Sequence, residues 1–163
     1  MKIILNHSNL LTFETNEHYE ENHISSVLND IFEKIDDNNL AIFQICFKEY
    51  DKVFDFPDFK YDFSSIFYEL QGLFKFVDNR EKGQFELFFY ELNRRVIFYI
   101  DNDEYLFFKI EISNENKFVA MSDRITLKKA NLIILQIILN FKFILSTKFP
   151  KAYEFIYQET KDL

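Results

Sequence analysis

The sequence predicts an α+β domain in which an antiparallel, meander-rich β-sheet of five or six strands packs against two helices. Apolar residues recur with a helical period between residues 17 and 37. From residue 40 to 121 their pattern is mostly that of strands, with a short helix at 62–71. A long apolar stretch follows at 126–146. Periods of 3.6 and 2 residues are typical of amphipathic helices and half-buried strands, respectively. We expect residues 1–163 to form a single domain, because a chain of this length can bury an adequate core.

The first part of the chain contains two short apolar runs and then an amphipathic helix. The runs 2–6 and 10–14 are predicted to supply one or two strands. Over 17–37 the apolar residues fall on a single stripe, which predicts a helix with an N-terminal acidic turn. This helix should end at Asp37-Asn38-Asn39, because asparagine tolerates the left-handed backbone conformation. The stripe consists of Ile24, Val27, Leu28, Ile31, Phe32 and Ile35.

The next segment is predicted to contain a strand, a loop, a short helix and a second strand. The run 40–48 has apolar residues on both faces, which favours a strand inside the sheet. Residues 49–60 are acidic and aromatic, and they are predicted to form a loop. Apolar spacing predicts a helix over 62–71 that Gly72 should end. The run 73–77 is then predicted to be a strand.

The stretch from 84 to 112 is predicted to form a meander of three strands, at 84–92, 95–101 and 105–112. Aromatic and β-branched residues dominate it, and such side chains fit the pleated, half-buried surface of a sheet. Polar clusters interrupt it where turns are expected, and the chain's two glycines leave asparagine and aspartate to supply most turn residues. A last strand is predicted at 118–121.

Residues 126–146 are apolar around more than one face, which predicts a helix in the core. Polar residues such as Gln136 and Lys142 interrupt the run, so it falls short of the ~20 apolar residues of a membrane span. No membrane association is therefore expected. Pro150 suits the first turn of a short final helix. The residues predicted to be buried include Ile31, Phe108, Ile134 and Ile138.

Charge and cysteine content restrict the functional classes. The net charge of −8 argues against direct nucleic-acid binding, which requires lysine and arginine to replace phosphate counterions. Cys46 is the single cysteine and cannot form an internal disulfide, and the N-terminal residues lack a signal-peptide pattern. A cytoplasmic protein is the expectation.

The negative charge is concentrated in one part of the chain. Residues 14–62 contain thirteen acidic residues and four lysines, a difference of −9, whereas the remainder contains fourteen acids and fifteen bases, a difference of +1. A one-sided distribution of this kind is found on well-solvated faces and also on surfaces complementary to a basic partner.

None of the candidate catalytic or metal motifs is convincing. His18 and His23 are five residues apart, whereas two ligands on one helical face need a spacing of three or four. Asp58 with Glu115 and Lys117 has the residue types of a metal-dependent nuclease, but Glu115 falls in a predicted turn. The cluster 101–104 lacks the rest of a calcium loop and is better explained as a hairpin turn. We therefore expect no catalytic residue, no metal and no cofactor, and no enzyme activity.

The strongest candidate site is the mixture of acids and aromatic residues at 49–62. Aromatic anchors surrounded by charged residues are typical of protein interfaces, although aromatic residues in this position would also be expected to cover the edge of a core. The residues predicted to bind a partner are Glu49, Asp51, Phe54, Asp55, Phe56, Asp58, Phe59 and Asp62.

These features favour a protein-binding inhibitor over an enzyme. The chain has the general type of a bacterial immunity protein or antitoxin, which neutralises a basic nuclease toxin by covering it with an acidic surface. Two alternatives stay open: an acidic DNA mimic such as a phage counter-defence inhibitor, and a small-ligand-binding domain or enzyme with a site assembled from scattered residues. In an immunity protein or antitoxin, charge complementarity accelerates association with the toxin, and aromatic hot spots slow dissociation.

Overall fold

A computed structural model describes residues 2–15, 17, 23–46, 53–55, 59–89, 93–112 and 117–159. It confirms the α+β class, with antiparallel strands, an N-terminal amphipathic helix and a long apolar C-terminal helix. The elements in chain order are β1 (Lys2–Leu5), α1 (His7–Thr12), α2 (Ile24–Asp37), β2 (Ala41–Cys46), β3 (Val53–Asp55), a π-helical turn (Phe59–Phe63), α3 (Ser64–Phe67), α4 (Leu70–Asp78), β4 (Gln84–Phe89), β5 (Arg94–Asp101), β6 (Tyr105–Ile112), β7 (Lys117–Met121), β8 (Ile125–Thr126), α5 (Leu127–Lys148) and α6 (Pro150–Glu159).

The strands are divided between two sheets instead of forming one. The first sheet has the order β1-β2-β3, and the second has the order β4-β5-β6-β7, with β8 also pairing with β6. All described strand pairs are antiparallel. The predicted meander is confirmed, because β4, β5 and β6 follow one another in both sequence and space. Helices separate the two sheets along the chain.

Near the N-terminus the prediction of one or two strands is confirmed, whereas the start of the amphipathic helix needs correction. The run 2–6 supplies β1 and the run 10–14 supplies no strand, because α1 begins at His7, with the Asn6 side chain accepting a hydrogen bond from the Asn9 N–H at 3.3 Å. The amphipathic helix begins at Ile24, later than residue 17. Its predicted end is confirmed, since α2 stops at Asp37 and Asn39 has a φ of +48°.

The segment from 62 to 78 is helical except for the turn at Tyr68 and Glu69, so the strand predicted at 73–77 is wrong. Gly72 lies inside α4 and does not end a helix. A Cβ at this position would lie 3.1 Å from the ring of Phe85 on β4, so glycine permits the close approach of helix and strand. The buried face of α4 continues the helical period that the sequence shows before Gly72: Leu70, Leu73, Phe76 and Val77.

The turns of the meander use asparagine and aspartate in the left-handed conformation. Asn102 and Asp103 have φ values of +52° and +56° between β5 and β6, and Asn93 has a φ of +49° before β5. Two consecutive positive φ values suit a tight antiparallel hairpin. The cluster 101–104 is therefore a hairpin turn, as predicted.

The core is built largely from phenylalanine rings around Phe63. Its ring centroid lies 4.9 Å from that of Phe59, 5.1 Å from Phe43 and 5.3 Å from Phe141. These contacts join the π-helical turn to β2 and α5. Tilted and edge-on ring pairs of this kind are favourable beyond their burial alone. The predicted core residues Ile31 and Ile134 are buried, whereas Phe108 and Ile138 are only partly buried.

The long helix α5 crosses the fold and carries most of the C-terminal core. It begins at a cap in which the Thr126 hydroxyl accepts a hydrogen bond from the Lys129 N–H at 3.3 Å. By length and composition alone it is also apolar enough to cross a membrane, a property that core helices of soluble proteins share. Its buried residues are Leu127, Ala130, Ile134, Ile137, Phe141, Ile144 and Leu145.

The N-terminal residues are fastened to the C-terminal helices. Asn140 on α5 donates a hydrogen bond to the Ile3 carbonyl at 3.0 Å, along the edge strand β1. The carboxylate of Glu17 accepts hydrogen bonds from the N–H groups of Lys151 at 3.2 Å and Ala152 at 3.0 Å. Glu17 therefore caps the first turn of α6, where a negative charge is favourable.

Candidate protein-binding surface

The structure describes four of the eight predicted partner-binding residues. Phe54 and Asp55 belong to β3, where they pair in register with Ile45 and Gln44 of β2. Asp62 belongs to the π-helical turn. The remaining four predicted residues, Glu49, Asp51, Phe56 and Asp58, lie outside the described residues.

Phe59 is not an exposed anchor, which corrects the prediction for this residue. Its side chain is fully buried, and its ring packs 4.9 Å from that of Phe63. The cause is that helical structure begins at Phe59, so its ring joins the buried stripe of the helices that follow. The helical spacing of Phe59, Phe63 and Ile66 indicates in the sequence that Phe59 is buried. It does so only if the helical segment starts at residue 59, three residues before the predicted start at 62.

Asp36 holds the start of the π-helical turn against the last turn of α2. Both of its carboxylate oxygens accept a hydrogen bond from the Phe59 N–H at 2.8 Å, and Oδ2 also accepts one from the Lys60 N–H at 2.8 Å. N–H groups at the beginning of a helical segment have no partner within the helix, and a carboxylate satisfies them well. Asp36 thereby fixes where the predicted segment meets α2.

Glu33, Lys60 and Tyr61 form a polar cluster beside this cap. Lys60 donates a hydrogen bond to the Glu33 carboxylate, and its ammonium lies 5.3 Å from the centroid of the Tyr61 ring. The hydrogen bond to Glu33 is the main reason why the pKa of Lys60 is raised above its ordinary value, against a smaller opposing effect of desolvation. Tyr61 is 48% exposed, so its ring presents an aromatic face to solvent beside two charged groups.

The same face of α2 carries two further acids. Asp30 forms an ion pair with Lys34 at 2.6 Å, one helical turn away. Asp37, the last residue of α2, is exposed. We call this set of residues, Asp30, Glu33, Asp36, Asp37 and Tyr61, the α2 acidic surface.

The negative charge of this surface is smaller than the sequence total implies. Of its four carboxylates, those of Asp30 and Glu33 contact lysines, and that of Asp36 serves the π-helical turn. Exposed ion pairs are screened by solvent and keep their charges available to a partner that competes for them. Sequence counting cannot reveal the pairing of Glu33 with Lys60, because the two residues are 27 positions apart.

The sequence also did not single out Tyr61 as the exposed aromatic residue of this segment. Phe59, Phe63 and Ile66 are buried on one side of the helical segment, and Tyr61 falls on another. A hydroxyl on an otherwise apolar ring is the signal that distinguishes it, since tyrosine is well suited to a half-wet position. Among the described aromatic side chains of this segment, Tyr61 is therefore exposed where exposure was expected of Phe59.

No metal site is formed by the part of the chain that the structure describes, since no three His, Cys, Asp or Glu side chains come together there. His23 is exposed at the start of α2, and Glu17, close to His18 in sequence, contacts α6 instead. The nuclease-like residues Asp58 and Glu115 lie outside the described residues.

Comparison of the chain with family models, with curated proteins and with solved structures finds no match.

Proposed function

We propose that this chain is a non-catalytic, cytoplasmic protein that binds and inhibits a basic protein, in the manner of a bacterial immunity protein or antitoxin that neutralises a nuclease toxin. The observation that carries the proposal is the α2 acidic surface, where Lys60 contacts both the exposed Glu33 carboxylate and the exposed ring of Tyr61. Tyr61 itself lies within the predicted partner-binding segment 49–62.

Two physical arguments support this function. Carboxylates around an aromatic anchor give a surface that attracts a positively charged partner over a distance and then holds it by burial of the ring. Lys60 and Lys34 provide a further element, because each already neutralises a carboxylate that a partner's lysine or arginine would otherwise contact. A partner's lysine or arginine can displace these lysines at little cost, because exposed ion pairs contribute little free energy.

The same ion pairs favour protein binding over DNA mimicry. A DNA mimic must present a regular row of carboxylates at spacings like those of phosphates, with few cations between them. On the α2 acidic surface, Lys34 and Lys60 lie between the acids.

The proposal can be tested by affinity purification from the native host with a tagged full-length chain. The wild type should recover a basic protein in stoichiometric amount at about 50 mM salt and less of it at about 300 mM, because screening shortens the range of charge attraction. Asp37→Lys combined with Tyr61→Ala should reduce that recovery, and the matched pair Glu81→Lys with Tyr105→Ala should not. Recovery of nucleic acid alone, or of a partner that both pairs of substitutions affect equally, would contradict the proposal.

A further inference from the structure

The helix α5 is apolar on two opposite faces, and one of these faces is exposed. Its buried face packs into the core, where the ring of Phe141 stacks on that of Phe32 from α2 at 5.5 Å. A helix at the surface of a globular protein normally has polar residues on the side away from the core. Here that side carries Leu132, Leu135, Leu139 and Phe143, with exposures of 59%, 38%, 57% and 46%.

These four residues, which we call the α5 outer stripe, follow the spacing of a helix-packing seam. They are three, four and four residues apart, and they extend over about 16 Å at 1.5 Å per residue. That length corresponds to three turns of a second helix. Because Phe141 on the opposite face contacts α2, the outer stripe points away from the α2 acidic surface.

The charged residues of α5 itself are all positive. Exposed Lys128 and Lys129 lie at its N-terminal end and exposed Lys142 lies next to Phe143, while α5 contains no acidic residue. This is the reverse of the chain as a whole, which has a net charge of −8. Pairing of two α5 helices from two copies of the chain would bring lysines close to lysines, which is unfavourable. The partner that complements the stripe is therefore apolar in its centre and acidic at its margins.

A cavity at the N-terminal end of the stripe adds a polar contact. It has a volume of about 310 Å³ between α4 and α5, and Lys128 and Leu132 line it together with Asp78, Arg80 and Asn131. The Asn131 side chain donates to Asp78 at 3.1 Å, but its buried Oδ1 has no hydrogen-bond partner among the described residues. A buried acceptor without a donor is costly, so a group that enters this cavity gains by donating to Asn131.

We propose that the α5 outer stripe and this cavity form a docking site for an acidic amphipathic helix of a partner protein. Apolar residues of that helix pack on Leu132, Leu139 and Phe143, and its acidic flanks contact the lysines of α5. A carboxylate near Arg80 and Lys128 and an N–H donor to Asn131 fix its position along the stripe. Helices commonly bind apolar grooves through anchors at such spacings.

An anionic membrane surface is a less suitable occupant of the same stripe. Attraction of a helix to such a surface scales with the number of nearby lysines and arginines. The four lysines of α5 supply part of that attraction, but a flat lipid surface places no donor at the buried Oδ1 of Asn131, which a side chain of a partner helix can reach through the cavity.

The test uses the full-length protein and two fluorescein-labelled helical peptides that share one leucine stripe at 3–4 spacing. One peptide has glutamate on both flanks, and the other has lysine. Fluorescence anisotropy should show the glutamate peptide binding about tenfold or more tightly than the lysine peptide, a difference of about 1.4 kcal/mol. Leu139→Glu should weaken binding of the glutamate peptide by a similar factor. The matched control Leu11→Glu, at a position 84% exposed on α1, should leave it unchanged.

A charge exchange makes the test specific. In Lys128→Glu/Lys142→Glu the preference should reverse toward the lysine peptide. Equal binding of both peptides, or no binding of either, would overturn the proposal. Leu139-dependent binding to phosphatidylglycerol vesicles in place of the peptide would assign the stripe to a membrane. A dimer in analytical ultracentrifugation that Leu139→Glu abolishes would assign it to a second copy of the chain.

Discussion

The carboxylate of Asp36 accepts a hydrogen bond from the backbone N–H of Phe59 at 2.8 Å, although 23 residues separate them in sequence. This contact fastens the beginning of the helical segment at 59–78 to the end of α2. The adjacent Lys60 contacts both the exposed ring of Tyr61 and the Glu33 carboxylate, while the ring of Phe59 is buried. The α2 acidic surface therefore depends on one carboxylate that is itself used for structure.

Loss of this cap should destabilise the fold. Asp36→Ala removes the acceptor for the N–H groups of Phe59 and Lys60, and we expect a decrease of about 0.5–2 kcal/mol in the free energy of unfolding, the range for helix caps. Urea denaturation measures it. Asp37→Ala is the matched control, because Asp37 is exposed and adjacent. Equal losses for the two variants would show that the cap contributes nothing of its own.

Phe63 should be the most sensitive position of the aromatic core. It is fully buried and lies within 6 Å of rings from four other segments, including Phe32, Phe43 and Phe141. Phe63→Ala is expected to cost about 3–5 kcal/mol, as for other large aromatic truncations in a packed core. The exposed Leu11 provides the control, since Leu11→Ala should change stability little. A small loss at Phe63 would mean that the rings around it do not form one packed cluster.

The Glu33–Lys60 pair makes a prediction about pH. Its hydrogen bond raises the pKa of Lys60 above the ordinary value of 10.5, so Glu33→Gln should lower that pKa toward 10.5. Because the folded-state pKa is raised, the pair's contribution to stability is complete below the unfolded-state pKa and disappears as pH rises through the folded-state pKa. NMR titration of the Lys60 side chain measures the shift. An unchanged pKa in the variant would show that Glu33 is not its cause.

Much of the fold follows from local pattern. The helix α2 is predicted by its regular apolar stripe, and the strands β5 and β6 by their aromatic and β-branched residues. The helix α5 is predicted by a long run that is apolar on more than one face. The predicted stop at Asn39 is also local, since it depends on the conformational tolerance of asparagine.

The errors have nonlocal causes. Gly72 indicated the end of a helix. A Cβ at this position would lie 3.1 Å from the ring of Phe85, so the glycine is explained by close packing of helix and strand. The strands were expected in one sheet, and nothing local separates β2 from β4 into different sheets. In the candidate surface, Tyr61 is exposed and Phe59 is buried because the helical segment begins at Phe59. The contact of Asp36 with the Phe59 N–H holds that beginning in place.

The most direct test of the acidic surface as a recognition surface is the rate of association with the captured native partner, measured by surface plasmon resonance at about 50 and 300 mM salt. Association should slow as salt rises, and Asp30→Lys/Asp37→Lys should slow it further, while Tyr61→Ala should mainly accelerate dissociation. The matched reversal Glu81→Lys/Glu154→Lys, at exposed positions outside 14–62, should have little effect. An association rate that does not depend on salt, or that both pairs of reversals reduce equally, would contradict recognition through this surface.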